Sequence, residues 1–493
     1  MMSRLWSCLL VAGCVAEPTL SDEAATVQRA VVPEKELVIR DPSVIASPQE
    51  TTFDPAHPSG DSARGAWSFG RLVHNMLPAG ERDSAAAASA LVTTWLRTWE
   101  TDQAPNASVS AALARPTIRL LVLDPWRRAS GCDAADDACV LDMTKAPFRL
   151  MAIVNRPDLR IVANDGTAIG GEGRFVFQVV GPTLAIDTAT NQFAVMDPTP
   201  KPQKFTVIFE YSLPVHANVA TITWAHRWHS LGALPFGPAF NARLRTITND
   251  FAGPDRDPRR PRGNALDQLR TNEVALQGAR FPSAGFRGAK QFWELREFHL
   301  TADGLTPHTV NLEPSRDFDI ARVGQTGSEG TRSVELADYL TANAADVIAG
   351  KNTLALGTSG NSALVGSAPY GAWGKRTSPN PPAIPSQGVA NDLGVGIEVR
   401  DAFALATCAG CHRHETDTRH FMHITIVDAM EPADKVDDRA RIGAADAAPE
   451  TVVLSNLLAA DVSPGGGRFE DFARLLETPP SQLADKPGLR MCR

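Results

Sequence analysis

The segment FTVIFEY at residues 205–211 is rich in β-branched and aromatic residues and lies between turn-forming residues. The segments FRLMAIV at 148–154 and RFVFQVV at 174–180 have the same character. Such runs are typical of β-strands. No obvious crossover helix lies between them, and parallel strands would need one. We therefore predict an antiparallel sheet rather than a doubly wound one.

Apolar residues at helical spacing predict helices around these strands. In residues 85–100, Leu91, Trp95 and Trp99 share one helix face. Ser84 is a candidate N-cap of this helix. The expected fold class is α+β, an antiparallel sheet body with packed helices, followed by a small, mostly helical C-terminal segment. The other predicted helices are 67–76, 219–231, 239–251 and 333–349, and residues 292–300 and 308–312 are predicted to form a hairpin.

The composition argues against some classes of function. Of the 493 residues, 43% are hydrophobic and 21% are charged, as in ordinary globular proteins. The 56 acidic and 48 basic residues give a net charge of -8, the wrong sign for a protein that binds phosphate backbones. We therefore expect no nucleic-acid partner.

The first residues indicate export. Arg4 precedes a short apolar run at residues 5–13, which is too short to span a bilayer, and Cys14 follows it. Residues 10–14 resemble the lipobox of bacterial lipoproteins. The resemblance implies that residues 1–13 are a signal peptide, that Cys14 is lipidated, and that lipid is the only membrane anchor. Val15 favours the outer membrane, on the periplasmic or cell-surface side. A plain signal peptide and a chance cysteine are the alternatives.

Residues 14–65 are predicted to be a flexible tether. Six prolines lie between residues 18 and 58, and no sustained apolar period is present. The same composition also fits a disordered arm with no spacing role. Residues 66–385 then form the α+β body, and residues 386–493 form the C-terminal segment.

Two cysteines, Cys132 and Cys139, bracket a polar loop. In an oxidising compartment the simplest expectation is a local disulfide between them. The acidic residues inside the loop raise the alternative of a calcium site. They lack the order of an EF-hand, so the disulfide is the favoured interpretation.

Glu172, Glu210 and His229 are candidate catalytic residues within the body. Carboxylates and imidazoles move protons and ligate metals, so these three side chains could converge into the site of a secreted enzyme. The opposing interpretation is that they form structural ion pairs. The arginines expected as partners are Arg174, Arg270 and Arg296.

Residues 408–412 read Cys-Ala-Gly-Cys-His, the spacing at which c-type haem is attached. Two thiols one helical turn apart can add to the two vinyl groups on one edge of the porphyrin, and the following His ligates the iron. Residues 386–493 therefore resemble a small c-type cytochrome. The resemblance implies one haem c, attached through Cys408 and Cys411 and ligated by His412.

The sixth iron ligand departs from the cytochrome pattern. Such proteins usually supply a methionine well downstream, before a final helix. Here Met491 lies beyond the helix predicted at 468–477. Met430 is the best-placed methionine, and Met422 and His423 are alternatives. An iron without a sixth protein ligand is a further alternative.

The same cysteines also allow interpretations without haem. A Cys2His2 zinc site could form from Cys408, Cys411, Cys492 and the histidines His412, His414, His420 and His423. A structural disulfide, Cys408–Cys411 or Cys411–Cys492, is the third interpretation. Either would fit a surface binding protein.

The chain also resembles a group of uncharacterised exported bacterial proteins, over most of residues 66–425. This resemblance implies one evolved unit and no particular chemistry. The matching segments include WSFG at 67–70, NRPDLR at 155–160, GEGRFVF at 171–177, LRTNE at 269–273 and WELREF at 293–298.

Taken together, these patterns predict an exported lipoprotein with a single covalent haem c. Its expected role is electron transfer or haem-linked redox chemistry with a redox partner protein. The alternatives are a secreted enzyme that uses Glu172, Glu210 and His229, and a surface binding protein.

Overall fold

The structure is a computed structural model. It describes residues 30–103, 112–160, 168–187, 189–190, 192–215, 218–276, 293–308, 310–311, 340–348, 362–363, 365–367, 399, 412, 422–426 and 451–483.

One antiparallel sheet organises the described part of the chain. Its strands are β1 (Val38–Ile39), β2 (Phe148–Arg156), β3 (Ala168–Asp187), β4 (Gln192–Val215), β5 (Leu266–Glu273), β6 (Glu294–Thr301), β7 (Gly304–His308) and β10 (Val365–Ser367), with β8 (Val310–Asn311) and β9 (Ser362–Ala363) forming a separate pair. The order across the sheet is β1-β2-β3-β4-β5-β6-β10, and β7 also pairs with β6. The expected antiparallel α+β fold is confirmed.

The long hairpin of β3 and β4 forms the centre of this sheet. Phe175 lies opposite Phe209 in the register, and both side chains are fully buried. Side chains alternate between the two faces of a strand, so Phe209 faces the apolar core while Glu210 faces the other side. Both strands extend well beyond the predicted runs, in a ladder with several register shifts. Met196, near the end of this extension, is 62% exposed.

Helices cover the apolar face of the sheet. Ser84 caps the helix Ala85–Arg97 by accepting a hydrogen bond from the Ala87 N–H, as predicted. The apolar face of this helix packs into an aromatic core, where the Trp95 and Trp99 ring centroids are 5.7 Å apart. The helices are α1 (Pro33–Glu36), α2 (Pro42–Ile45), α3 (Pro48–Thr51), α4 (Phe69–Asn75), α5 (Ala85–Arg97), α6 (Asp124–Ala129), α7 (Asn218–His229), α8 (Pro238–Ala252), α9 (Ala344–Ile348), α10 (Asn456–Asp461) and α11 (Gly467–Glu477). Short 3-10 turns lie at Met143–Lys145, Pro157–Leu159, Ser230–Ala233, Pro261–Gly263 and Pro480–Gln482, and a π-helical turn lies at Arg119–Leu123.

Most predicted elements of the body are present. The predicted hairpin is formed by β6 and β7, with Thr301 opposite Gly304, although its second strand is Gly304–His308 rather than the predicted 308–312. Strand β5 was not predicted, because LDQLRTNE alternates apolar and polar residues less clearly than its neighbours. The helix predicted at 333–349 is described only in part, as α9 within residues 340–348.

The tether prediction is wrong for residues 30–65. Val38 pairs with Val154 in the sheet, and Leu37, Ile39 and Val44 are fully buried. The prolines that suggested an extended tether instead begin three short helices, a position where proline costs no hydrogen bond. Residues 1–13, which are predicted to be a signal peptide, and residues 14–29, including Cys14, lie outside the described residues.

The sulfur atoms of Cys132 and Cys139 lie at bonding distance, with Cα atoms 6.0 Å apart. This geometry is that of the predicted disulfide. It closes the loop that leads from α6 toward β2. The buried Arg127 crosses this loop and donates to the Ala134 carbonyl at 3.0 Å.

The C-terminal segment packs directly on the body. Strands β11 (Ile424–Ile426) and β12 (Val452–Leu454) form a small antiparallel pair, and β11 lies against β2. Arg160 donates two hydrogen bonds to Asp471 on α11, at 2.5 and 3.1 Å, and both side chains are buried. A buried ion pair across 311 residues holds α11 against the end of β2. Of residues 386–411, the structure describes only Val399.

Among the described residues, none of the helices is both long and apolar enough to cross a membrane.

Candidate functional site

A cleft with a cavity volume of about 130 Å³ lies between the polar face of the sheet and the C-terminal segment. Strands β2 to β6 supply its floor, and residues around β11 and α10 supply its roof. Its apolar lining is Val154, Val176, Ile208, Leu295, Ile424, Leu457 and Leu458, and its polar lining is Arg156, Arg174, Thr206, Glu210, Arg270, Asn272, Asp461 and Arg468. His412, Met422 and His423 complete it.

Alternating charges cross the floor from strand to strand. Arg174 contacts Glu172 at 2.5 Å and Glu210 at 3.0 Å. Arg270 contacts Glu210 at 3.6 Å and Glu297 at 2.8 Å. We call these five residues the charge ladder. The register explains it, because Arg174 pairs with Glu210 and Arg270 with Glu297 across neighbouring strands.

The charge ladder contains two of the three predicted catalytic residues, Glu172 and Glu210. Glu172 and Glu210 do lie close together, but both are ion-paired to Arg174. Glu210 is fully buried. The expected partners Arg174 and Arg270 are therefore correct, and Arg296 pairs with Glu294 at 3.1 Å.

His229 does not join this cluster, so the predicted convergence with Glu172 and Glu210 is wrong. It is fully buried near the C-terminus of α7, and its Nδ1 lies 2.8 Å from Glu36 Oε2. Glu36 belongs to the N-terminal helix α1, which the sequence had assigned to the tether. This buried pair links α1 to α7 and therefore has a structural role. It removes support for a catalytic site that would combine His229 with Glu172 and Glu210.

A second charged group lies at the C-terminal end of the cleft. Arg156 donates to both oxygens of Asp158, at 3.0 and 2.8 Å, and Arg468 lies 3.2 Å from Asp461. Burial opposes the charged form of Asp158, but Arg156 and Arg468 more than offset it and lower the pKa of this carboxyl. Burial and the nearby Arg156 charge lower the pKa of Arg468 to about 10. Two guanidinium groups and two carboxylates therefore meet at this end of the cleft.

His412 of the Cys-x-x-Cys-His motif is buried at the cleft. Its ring centroid lies 4.5 Å from that of Trp293 and 4.8 Å from that of His423. The Trp293 indole N–H donates to the Asn272 side-chain oxygen on β5. Met422, which adjoins His423, is almost fully buried and lines the same cleft.

The other residues predicted around the motif lie outside the described residues. They are Cys408, Cys411, His414, His420, Met430 and Cys492. Of the alternatives considered for the iron or zinc, the structure brings together His412, Met422 and His423.

Sequence reasoning missed two parts of the site. The first is the arginine pair Arg156 and Arg468, whose sequence separation hides their proximity. The second is a cluster of Glu297, His299 and His308 on the hairpin of β6 and β7. The register places His308 opposite Glu297, and two-residue spacing places His299 on the same face as Glu297. The predicted second strand of this hairpin, 308–312, began only at His308, so the pairing of His308 with Glu297 was not predicted.

A different buried carboxyl, Glu273, lies on the opposite face of β5, away from the cleft lining. Burial and the nearby Glu294 charge raise its pKa to about 7, although Arg115 opposes this shift. Arg115 forms ion pairs with both Glu273 and Glu294, and all three side chains are buried. We therefore interpret this group as a structural ion cluster.

No protein-family model, curated protein or solved structure matches this chain. The site is therefore interpreted from its own residues alone.

Proposed function

We propose that this protein is an exported lipoprotein that carries one covalent haem c and transfers electrons to or from a redox partner protein. The observation that carries the proposal is the burial of His412, the histidine of the Cys-x-x-Cys-His motif, at a cleft that Met422 also lines. The motif alone has the spacing for thioether attachment. Its position at a cleft with a second potential ligand supports the proposal.

The chemistry of the cleft fits a porphyrin. Val154, Val176, Ile208 and Leu295 form an apolar wall suited to a flat aromatic ring. At one end lie Arg156 and Arg468, and burial together with the nearby Arg156 charge lowers the pKa of Arg468 to about 10. The two propionates of a haem would share these guanidiniums with Asp158 and Asp461, because arginine pairs with carboxylates in bidentate geometry.

The residues around His412 would hold it as an axial ligand. A haem bound here would supply a one-electron iron couple. The Trp293 ring packs against the His412 imidazole and is itself held by a hydrogen bond to Asn272. Such packing fixes the orientation of a ligand, and burial keeps bulk water from it.

Met422 is the sixth ligand that we propose. It lines the cleft and is 1% exposed. His423 lies in direct ring contact with His412, which leaves no space for a porphyrin plane between the two imidazoles. Met430, the methionine favoured by spacing, lies outside the described residues and is the alternative.

The test of this proposal is a pyridine haemochrome spectrum of the full chain expressed with a cytochrome c maturation system. We expect a c-type α-band in the wild type and its loss in the double variant Cys408→Ala/Cys411→Ala. The matched control is Cys132→Ala/Cys139→Ala, which removes a cysteine pair outside the motif and should keep the band. A wild-type protein without the band would refute the haem proposal.

The sixth ligand is tested in the same material. Met422→Leu keeps the side-chain volume nearly unchanged. If Met422 binds the iron, this variant should shift the visible spectrum and lower the reduction potential, since methionine ligation raises it. An unchanged spectrum in Met422→Leu, with a shift in Met430→Leu, would assign the position to Met430.

A zinc site is the second candidate function, and one observation favours it. The 4.8 Å separation of the His412 and His423 ring centroids suits two imidazoles that share one small ion. Cys408 and Cys411 would complete a tetrahedral Cys2His2 set. One zinc ion per chain, no haem, and loss of zinc in His412→Ala would support this function instead.

Export and lipidation form a separate part of the proposal. The lipobox-like residues before Cys14 support attachment to the outer membrane through lipid alone. We expect labelled palmitate to be incorporated in bacterial cells and to be lost in Cys14→Ala. Cys8→Ala, which changes a cysteine inside the signal peptide, is the matched control and should retain the label. Labelling that persists in Cys14→Ala would contradict lipidation at this residue.

A further inference from the structure

The hairpin of β6 and β7 brings a carboxylate and two imidazoles together outside the cleft lining. Glu297 and His299 lie two residues apart on β6, so they share a face of the sheet. His308 on β7 lies opposite Glu297 in the register. One potential ligand atom from each of the three residues lies within 4.8 Å of the others.

One carboxylate oxygen of Glu297 lies close to both imidazoles. Glu297 Oε1 lies 2.9 Å from His299 Nε2 and 3.4 Å from His308 Nδ1. Ligand atoms around a tetrahedral zinc ion, at roughly 2.0–2.1 Å from the metal, are roughly 3.3 Å apart. The two imidazole rings lie parallel, 3.7 Å apart. The three donor atoms therefore lie close together, and because stacked rings direct their in-plane lone pairs side by side, one imidazole must rotate for both nitrogens to face a shared ion.

Arg270 holds the carboxylate in position for this role. It donates from Nε and Nη2 to Glu297 Oε2, at 3.0 and 2.8 Å, so the other oxygen points to the imidazoles. Metal-binding carboxylates are commonly oriented by such outer contacts.

Exposure gives an ion access from solvent. Glu297 is buried, whereas the His299 side chain is 33% exposed and that of His308 is 47% exposed. An ion held by these three groups would have its remaining coordination position on the solvent side. Three protein ligands with one open position are typical of reactive rather than purely structural zinc sites.

We propose that Glu297, His299 and His308 form a binding site for a divalent transition-metal ion of the zinc class. Two nitrogen donors and one carboxylate suit zinc, whereas calcium and magnesium prefer sites made of oxygen ligands. The site shares Glu297 with the charge ladder, where Arg270 pairs with it, but uses none of the residues proposed to hold haem.

The test uses the full chain as purified, with the bound haem or zinc of the C-terminal motif left in place. Zinc is titrated against a chromophoric chelator, and Co²⁺ is used as a spectroscopic probe of tetrahedral coordination. We expect the wild type to bind one more equivalent of zinc than His299→Ala/His308→Ala, and to show cobalt bands that this variant lacks. His308→Ala alone should weaken binding at least tenfold.

Two further variants make the result decisive. His57→Ala is the matched control, because His57 is an exposed histidine that also contacts a carboxylate, Asp54, at 3.1 Å. It should bind zinc like the wild type. His308→Asp keeps a ligand at this position and should retain zinc binding, and it guards against a folding defect in the alanine variants. Equal zinc stoichiometry in the wild type and in the folded His308→Ala variant would overturn the proposal.

Discussion

Arg270→Met is expected to lower the free energy of unfolding by about 3–5 kcal/mol, because it leaves the buried Glu297 without its arginine and Glu210 with Arg174 alone. Arg270 contacts Glu210 at 3.6 Å and Glu297 at 2.8 Å. Glu210 is fully buried and Glu297 is 5% exposed, so water cannot replace the lost contacts. Methionine fills a similar volume, so the loss reports charge rather than a cavity.

Urea unfolding at neutral pH measures this effect. Arg128→Met changes an exposed arginine on α6 and is the matched control, with an expected change within about 0.5 kcal/mol. Adding Glu297→Gln to Arg270→Met should recover about 1–2 kcal/mol, because the unpaired charge is then removed. Equal stability of Arg270→Met and Arg128→Met would show that the charge ladder does not stabilise the sheet.

Asp158→Asn is expected to lower the free energy of unfolding by about 2–3 kcal/mol at pH 7. Asp158 accepts two charge-assisted hydrogen bonds from Arg156 and lies 3.7 Å from Arg468. Without its charge, the two buried guanidinium groups would repel each other more strongly. Asp461, 3.2 Å from Arg468, would compensate only in part.

The effect of Asp158→Asn should depend on pH in a definite direction. The two arginines hold the pKa of Asp158 well below its ordinary value of 3.8. A carboxyl with a lowered folded-state pKa stabilises the fold above the unfolded-state value and loses this contribution as the pH falls. The stability difference between wild type and variant should therefore be constant above about pH 5 and shrink below about pH 4.

Unfolding curves recorded between pH 3 and pH 7 test this prediction. Asp133→Asn, in the exposed loop between Cys132 and Cys139, is the control and should show little difference at any pH. A stability loss in Asp158→Asn that stays constant down to pH 3 would mean that the carboxylate charge is not its cause.

The central strands were predictable because their residues carry the information locally. In FTVIFEY, alternate residues must face a core, and Phe205, Val207, Phe209 and Tyr211 are all fully buried. The same holds for Ser84, whose side chain caps a helix that its own neighbours form. The arginine partners of Glu172 and Glu210 were also predictable, since Arg174 lies on the same strand as Glu172 and opposite Glu210.

The N-terminal segment and His229 were not predictable in this way. Leu37 and Ile39 are too few to give a period, and their burial depends on pairing with β2 more than a hundred residues later. His229 has the sequence features of a catalytic group, yet its partner Glu36 belongs to that same distant segment. The ion pair is visible only once both segments occupy one core.

The sequence by itself determined the class of fold, the disulfide pair and the haem-attachment spacing at Cys408, Cys411 and His412, because each depends on residues close together in the chain. Only the tertiary structure decided that His412 meets Met422 and His423 at a cleft floored by arginines, and that Glu297 meets His308. The physical reason is that burial and ion pairing act between surfaces brought together by folding, and residue spacing along the chain does not encode which surfaces those are.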